Sequence, residues 1–117
     1  MSAPTPDLEA YFARIAYTGP RDVTLATLTA IHQHHARAIP YENLDVLLGR
    51  SISIDLAAIE HKLVHARRGG YCFEQNALLR DVLRSLGFSV TQLIARVRWQ
   101  IPVDVTTALI HMVLRVD

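Results

Sequence analysis

Residues 67–76 read Arg-Arg-Gly-Gly-Tyr-Cys-Phe-Glu-Gln-Asn and place the chain's one cysteine, Cys72, directly after a glycine pair. Glycines permit tight backbone geometry. A helix opening at the cysteine would aim free N–H groups at its sulfur, which favours thiolate over thiol. Those are the conditions of a nucleophile. A lone cysteine is otherwise a small buried hydrophobe, so the chemical reading needs a base.

Six histidines are available. His32, His34 and His35 cluster in one segment, and His61 with His65 has the i, i+4 spacing that puts two imidazoles on one helix face. Neither group carries an intervening Glu and a distant third ligand, so no metal is expected. His111 lies in an apolar, strand-like run, where an imidazole either packs with a satisfied partner or works. Cys72 and His111 together make a nucleophile and base for acyl transfer, with a carboxylate or amide as the third member that orients the imidazole. Asp117 is six strand residues beyond His111, about 20 Å at ~3.3 Å per residue, which is too far to serve. Asp104 could reach only across a turn. The dyad therefore stands without a third member.

The elements that must position these residues are helices first and strands afterwards. Thr5-Pro6 predicts a helix start, with Leu8, Tyr11, Phe12 and Ile15 at helical spacing and Gly19-Pro20 as its stop. A second helix opens near Thr24, carries Leu25, Leu28, Ile31 and His35 on one stripe, and ends before Pro40. Residues 40–54 lack a helical period and read as a loop packed against the body. Asp55 caps a third helix with Leu56, Ile59, Leu63 and Ala66 inward, broken by Gly69-Gly70. A fourth runs from Cys72 to Leu86, with Gly87 as a left-handed cap. After Gly87 the period becomes two: Leu93, Ala95, Val97 and Trp99 share one strand face, and a second strand-like run covers residues 107–117.

This pattern, helices over 1–87 and strands over 88–117, predicts an α+β arrangement or two adjoining domains. Two strands alone are a poor end point, because an isolated hairpin is marginal and leaves open edges. The composition agrees with a globular chain: 117 residues, half of them hydrophobic and 20% charged, with a net charge of +1. That balance gives no field to recruit nucleic acid or an anionic membrane. One cysteine excludes a disulfide scaffold, and no apolar run reaches membrane-spanning length. The start, MSAPTPDLEAYF, is unlike a secretory signal, so a cytoplasmic location is expected.

The segment Arg68 to Asn76 resembles the active-site signature of the arylamine N-acetyltransferases, Arg-Gly-Gly-x-Cys-x-Glu-x-Asn. Tyr11-Phe12-Ala13-Arg14-Ile15 is similar to that family's opening helix. Ile39-Pro40-Tyr41-Glu42-Asn43-Leu44 is similar to its Pro-Phe-Glu-Asn motif, with tyrosine for phenylalanine, and Ala95-Arg96-Val97 and His111-Met112 match the strands that follow. The resemblance implies acetyl transfer from acetyl-CoA to arylamines or hydrazines by a ping-pong cycle, with Cys72 as acetyl carrier and His111 as its base. It implies that Tyr41, Val97 and Ile110 belong to the acceptor pocket. Arg68 and Glu42 become an ion pair holding the cysteine loop with Gly69 and Gly70.

Two departures accompany it. Ile110 stands where the family usually has Thr or Ser, and the family's triad aspartate falls in a segment expected beyond residue 117. By resemblance the chain reads as the N-terminal portion of such an enzyme, a helical bundle over 1–87 followed over 88–117 by the first strands of an incomplete β-barrel, and little or no acetyl transfer is expected from it alone. Two other expectations differ in class. One is a non-catalytic helical fragment that self-associates or pairs with a missing C-terminal part through its strand edge. The other is a Cys-His hydrolase or transglutaminase-like enzyme, distinguished by its acceptor.

Overall fold

A computed structural model describes residues 5–117; the first four residues, and with them part of the reading of the chain's start, lie outside it. The elements are α1 (Leu8–Arg14), α2 (Leu25–Ala38), α3 (Leu44–Leu47), α4 (Leu56–Glu60) continuing into a π-turn (His61–His65), α5 (Cys72–Leu86), β1 (Val90–Arg96) and β2 (Leu109–Val116). Helices precede strands, as the change of period predicts.

The first helix starts later than Thr5-Pro6 suggests. Asp7 is its N-cap, because the Asp7 carboxylate takes the free amide of Ala10 at 3.1 Å. It also ends earlier than Gly19-Pro20: Ile15 is the C-cap, and Ala16 at φ 54° turns the chain. Thr24 caps α2 as expected, accepting from the amide of Thr27 at 3.2 Å. Of its stripe, Ile31 and His35 are buried and Leu28 half-buried, but Leu25 is exposed.

The segment 40–54 holds the single turn α3 and packs in reverse of the expectation. Leu44, Val46, Leu47 and Leu48 face solvent, while the carboxylate of Asp45 is drawn inward. The third helix begins after Asp55, as predicted, then widens; the amide of Ala66 reaches back five residues to the carbonyl of His61 at 2.7 Å. Leu56, Ile59, Leu63 and Val64 are buried, and Ala66 is exposed. The wider turn leaves His61 and His65 exposed, with no group of metal-ligand geometry among the described residues.

α5 spans Cys72–Leu86, and Gly87 at φ 107° closes it in the left-handed region. Leu78, Val82 and Leu83 of α5 join Tyr11, Phe12 and Ile15 of α1, Ile31 of α2 and Ile59 and Leu63 in one core. β1 and β2 are antiparallel, pairing Val90 with Val116 through Ala95 with His111, with an irregularity at Arg96. β1 therefore stops short of Val97 and Trp99, and Trp99 is exposed. The hairpin is not isolated, because Met112 is buried where β2 meets α5. None of the described helices is long and apolar enough to cross a membrane.

Candidate active site

Cys72 is the first residue of α5, and its Sγ lies 3.9 Å from the carbonyl oxygen of Ile110. One turn later the Asn76 amide donates to the carbonyl of Met112 at 2.7 Å. Carbonyls two apart on a strand point to one edge, so both contacts engage the edge of β2 that faces away from β1. His111 sits between these two carbonyls in sequence. The helix start is thereby registered against the strand that carries the histidine.

His111 is half-buried and lines a groove of about 440 Å³ together with Tyr41, Asn76 and His32. Tyr41 and His111 thus line one groove. Cys72 is buried and is not among the residues that line the groove. Burial first, and then Cys72, push the Tyr41 phenol up. Val97, beyond the end of β1, and the exposed side chain of Ile110 are not part of this groove; Ile110 meets Cys72 through its backbone.

The turn before Cys72 is fixed by close approach. A Cβ on Gly69 would be driven into the carbonyl oxygen of Pro40, and one on Gly70 would lie 2.9 Å from Glu74 Oε1. Tyr41 and Gly70 form a short parallel bridge: the amide of Glu42 donates to Gly70 O at 3.1 Å and the amide of Gly70 to Pro40 O at 3.2 Å. The two signature segments quoted from the sequence are therefore neighbours in space. Arg68 pairs with Glu42 at 3.3 Å as expected, but it also pairs with Asp45 at 3.1 Å.

A larger charge cluster lies behind that pair, and sequence reasoning missed it. Lys62, set by the π-turn, places Nζ 2.8 Å from Asp45 and 2.9 Å from Glu74, and 3.9 Å from Glu42. Glu74 is almost fully buried and accepts the amide of Tyr71 at 3.2 Å, so it caps the helix of the cysteine. Hydrogen bonds from Lys62 and Arg68 hold the Asp45 carboxyl down at about 2. Burial opposes the charge on Lys62, but its bonds to Asp45 and Glu74 outweigh that and raise it. Lys62 is the only lysine among twelve basic residues, and that rarity was the available signal.

Residues 24–117 match the family model described as N-acetyltransferase. The chain is 56% identical over 93 residues to the arylamine N-acetyltransferase of Escherichia coli, an alignment covering 80% of this chain and 33% of that protein. Its fold is similar to the solved arylamine N-acetyltransferase of Mycobacterium tuberculosis, with a TM-score of 0.90 and 45% identity over 95% of this chain and 42% of that one. It is also similar to the Mycobacterium marinum enzyme solved in complex with CoA, with a TM-score of 0.89 and 44% identity over 95% of this chain and 41% of that one. The chain spans about a third of the length of the curated relative it matches.

Proposed function

Because the chain belongs to the arylamine N-acetyltransferase family, we propose that it carries the nucleophile and base of an enzyme moving acetyl from acetyl-CoA to an arylamine or hydrazine. The observation that supports this reading most directly is the double contact of α5 with β2, Cys72 to Ile110 and Asn76 to Met112, on either side of His111.

In the first half-reaction the Cys72 thiol gives its proton to His111, and the sulfur attacks the acetyl carbonyl of acetyl-CoA. The carbon–sulfur bond to CoA breaks, and the CoA thiolate leaves with the proton His111 returns. One thioester replaces another, so the step is nearly neutral in energy. In the second half the neutral amine attacks acetyl-Cys72, the Cys72 sulfur leaves, and His111 takes up the amine proton. Tyr41, which lines the same groove as His111, offers an aromatic face to the acceptor ring. Gly69, Gly70, Arg68 and Glu42 hold the turn from which the sulfur acts. The lone cysteine must stay reduced, which fits a cytoplasmic setting.

Mass spectrometry tests this reading. The enzyme that carries this chain, incubated with acetyl-CoA, gains one acetyl group at Cys72, and an aromatic hydrazide discharges it as the acetylhydrazide. Cys72→Ala takes up none, and His111→Ala acquires it orders of magnitude more slowly. Discharge to water at the same rate without an amine would move the reading to a Cys-His hydrolase, and absence of acetyl-Cys72 would end it.

A further inference from the structure

Beneath the cysteine turn runs a second polar system with no net charge. Tyr11, His35 and Gln75 are all buried, and they come from α1, α2 and α5. The Tyr11 hydroxyl is 2.7 Å from His35 Nδ1, and His35 Nε2 is 2.7 Å from Gln75 Oε1. The Gln75 amide nitrogen faces three carbonyls: Pro40 at 2.9 Å, and Ile39 and Gly70 at 3.3 Å each.

The direction of every bond in this chain follows from its last member. Carbonyls only accept, so the Gln75 nitrogen must donate to them and Oε1 must face His35. His35 Nε2 must then carry the proton, which leaves Nδ1 to accept from the Tyr11 hydroxyl. Both ring nitrogens are occupied, so His35 has no free site for proton transfer. What it does is fix the orientation of Gln75. If His35 could not donate at Nε2, Gln75 Oε1 would be buried without a partner, and a flipped amide would set oxygen against three carbonyl oxygens.

Gln75 spans the bridge that joins the two signature segments. Its amide binds Pro40 O and Gly70 O, on either side of Tyr41 and one residue before the Tyr71-Cys72 helix start. His35 and Gln75 also line a recess of about 100 Å³ that shares Tyr41 and Asn76 with the groove of His111. We propose that Tyr11, His35 and Gln75 form a positioning relay that sets the seat of the Gly70–Cys72 turn against Tyr41, with His35 giving the relay its direction. The relay stands on its hydrogen bonds alone; its bearing on the nucleophile rests on the acetyltransferase reading.

Two measurements on the full chain test it. The first is amide hydrogen exchange at Gly70 and Glu42, compared with Val82 in the far turns of α5. In His35→Leu and Gln75→Met, exchange at Gly70 and Glu42 accelerates about tenfold, the loss of one buried hydrogen bond, while Val82 is unchanged. His35→Gln keeps a donor toward Gln75 and restores wild-type exchange. The second is the ratio of Cys72 alkylation rates by iodoacetamide at about pH 6.5 and about pH 9, which cancels differences in access. This ratio falls about tenfold in the two disruptive variants and is restored in His35→Gln. Unchanged local exchange in folded variants overturns the relay. So does a uniform rise that includes Val82, or failure of every relay variant to fold, since either marks a purely structural role. A wild-type alkylation ratio no different from that of the unfolded chain overturns the acetyltransferase reading instead, and leaves the exchange result to decide the relay.

Discussion

The side-chain amide of Asn76 donates to the main-chain carbonyl of Met112 at 2.7 Å, one helical turn after Cys72 and one residue after His111. This bond, more than the weak thiol contact at Ile110, fixes the register between helix and strand. An aspartate in its place cannot donate and would set a carboxylate against a carbonyl oxygen. Asn76→Asp is therefore expected to slow acetyl-Cys72 formation by at least about tenfold with the helical far-ultraviolet signal retained. An acetylation rate equal to wild type would show that the register is held elsewhere.

Lys62 joins the buried Glu74 to Asp45, so its removal leaves a carboxylate in the interior without its cation. Breaking such a pair typically costs about 3–5 kcal/mol, and Lys62→Met should lower the stability measured in urea by an amount of that order. The same cluster sets an acid limit. The Asp45 carboxyl is depressed to about 2 in the folded chain, below its ordinary value of 3.8. A depressed carboxylate contributes stability above the ordinary value and loses it as pH falls through the folded one. The contribution should disappear between about pH 4 and pH 2, and Asp45→Asn should flatten that part of the stability curve. An acid limb identical in the two proteins would rule this source out.

The helix of Cys72, the Gly87 cap and the two strands were legible because each depends on local signals: period, glycine placement and the change from period 3.6 to 2. The nucleophile and base were legible as residue types. The partners that hold them were not. Lys62, Asp45 and Glu74 are separated by 12 to 29 positions and meet only after a π-turn that no periodicity announces. Segment 40–54 misled for the same reason, since its apolar side chains suggested packing while its one inward group is a carboxylate. Gln75 and His35 each look unremarkable alone. Their meaning is in the direction of hydrogen bonds, which requires all three carbonyls to be in place. Val97 and Ile110 came from resemblance, and the groove around His111 does not include their side chains.

Arg67 holds φ 56°, a left-handed conformation costly for a residue with a Cβ, and it ends the π-turn so that the amide of Arg68 can reach the carbonyl of Lys62 at 3.0 Å. Its charge also acts on Arg14, whose guanidinium is pushed down first by burial and then by Arg67. Arg14 binds the carbonyls of Leu63 at 2.7 Å and Ala38 at 2.8 Å, at two helix ends. Arg67→Gly relieves the backbone and the repulsion together, and should raise stability by roughly 0.5–1 kcal/mol. A thermal midpoint at or below wild type would show that the side chain has a role that outweighs its strain.

The buried His35 gives the last prediction. Burial pushes its pKa down, the bond to Gln75 opposes this, and His32 and Arg14 add to the depression. Tyr11 from α1 faces the ring as a neutral hydroxyl, its own pKa pushed up by burial, and Gln75 from α5 faces it as a neutral amide. Below the ordinary histidine pKa of about 6.5 the unfolded chain takes a proton that the folded chain refuses. The unfolded state then binds more protons, so stability rises with pH through this range and falls on acidification. The thermal midpoint should therefore drop from pH 7 to pH 5, and the drop should be smaller in His35→Gln, which keeps the donor but cannot titrate. Parallel pH profiles for wild type and His35→Gln would mean that His35 takes up its proton in the folded chain as it does in the unfolded one; Nδ1 would then donate to the Tyr11 oxygen, reversing that bond while Nε2 still donates to Gln75.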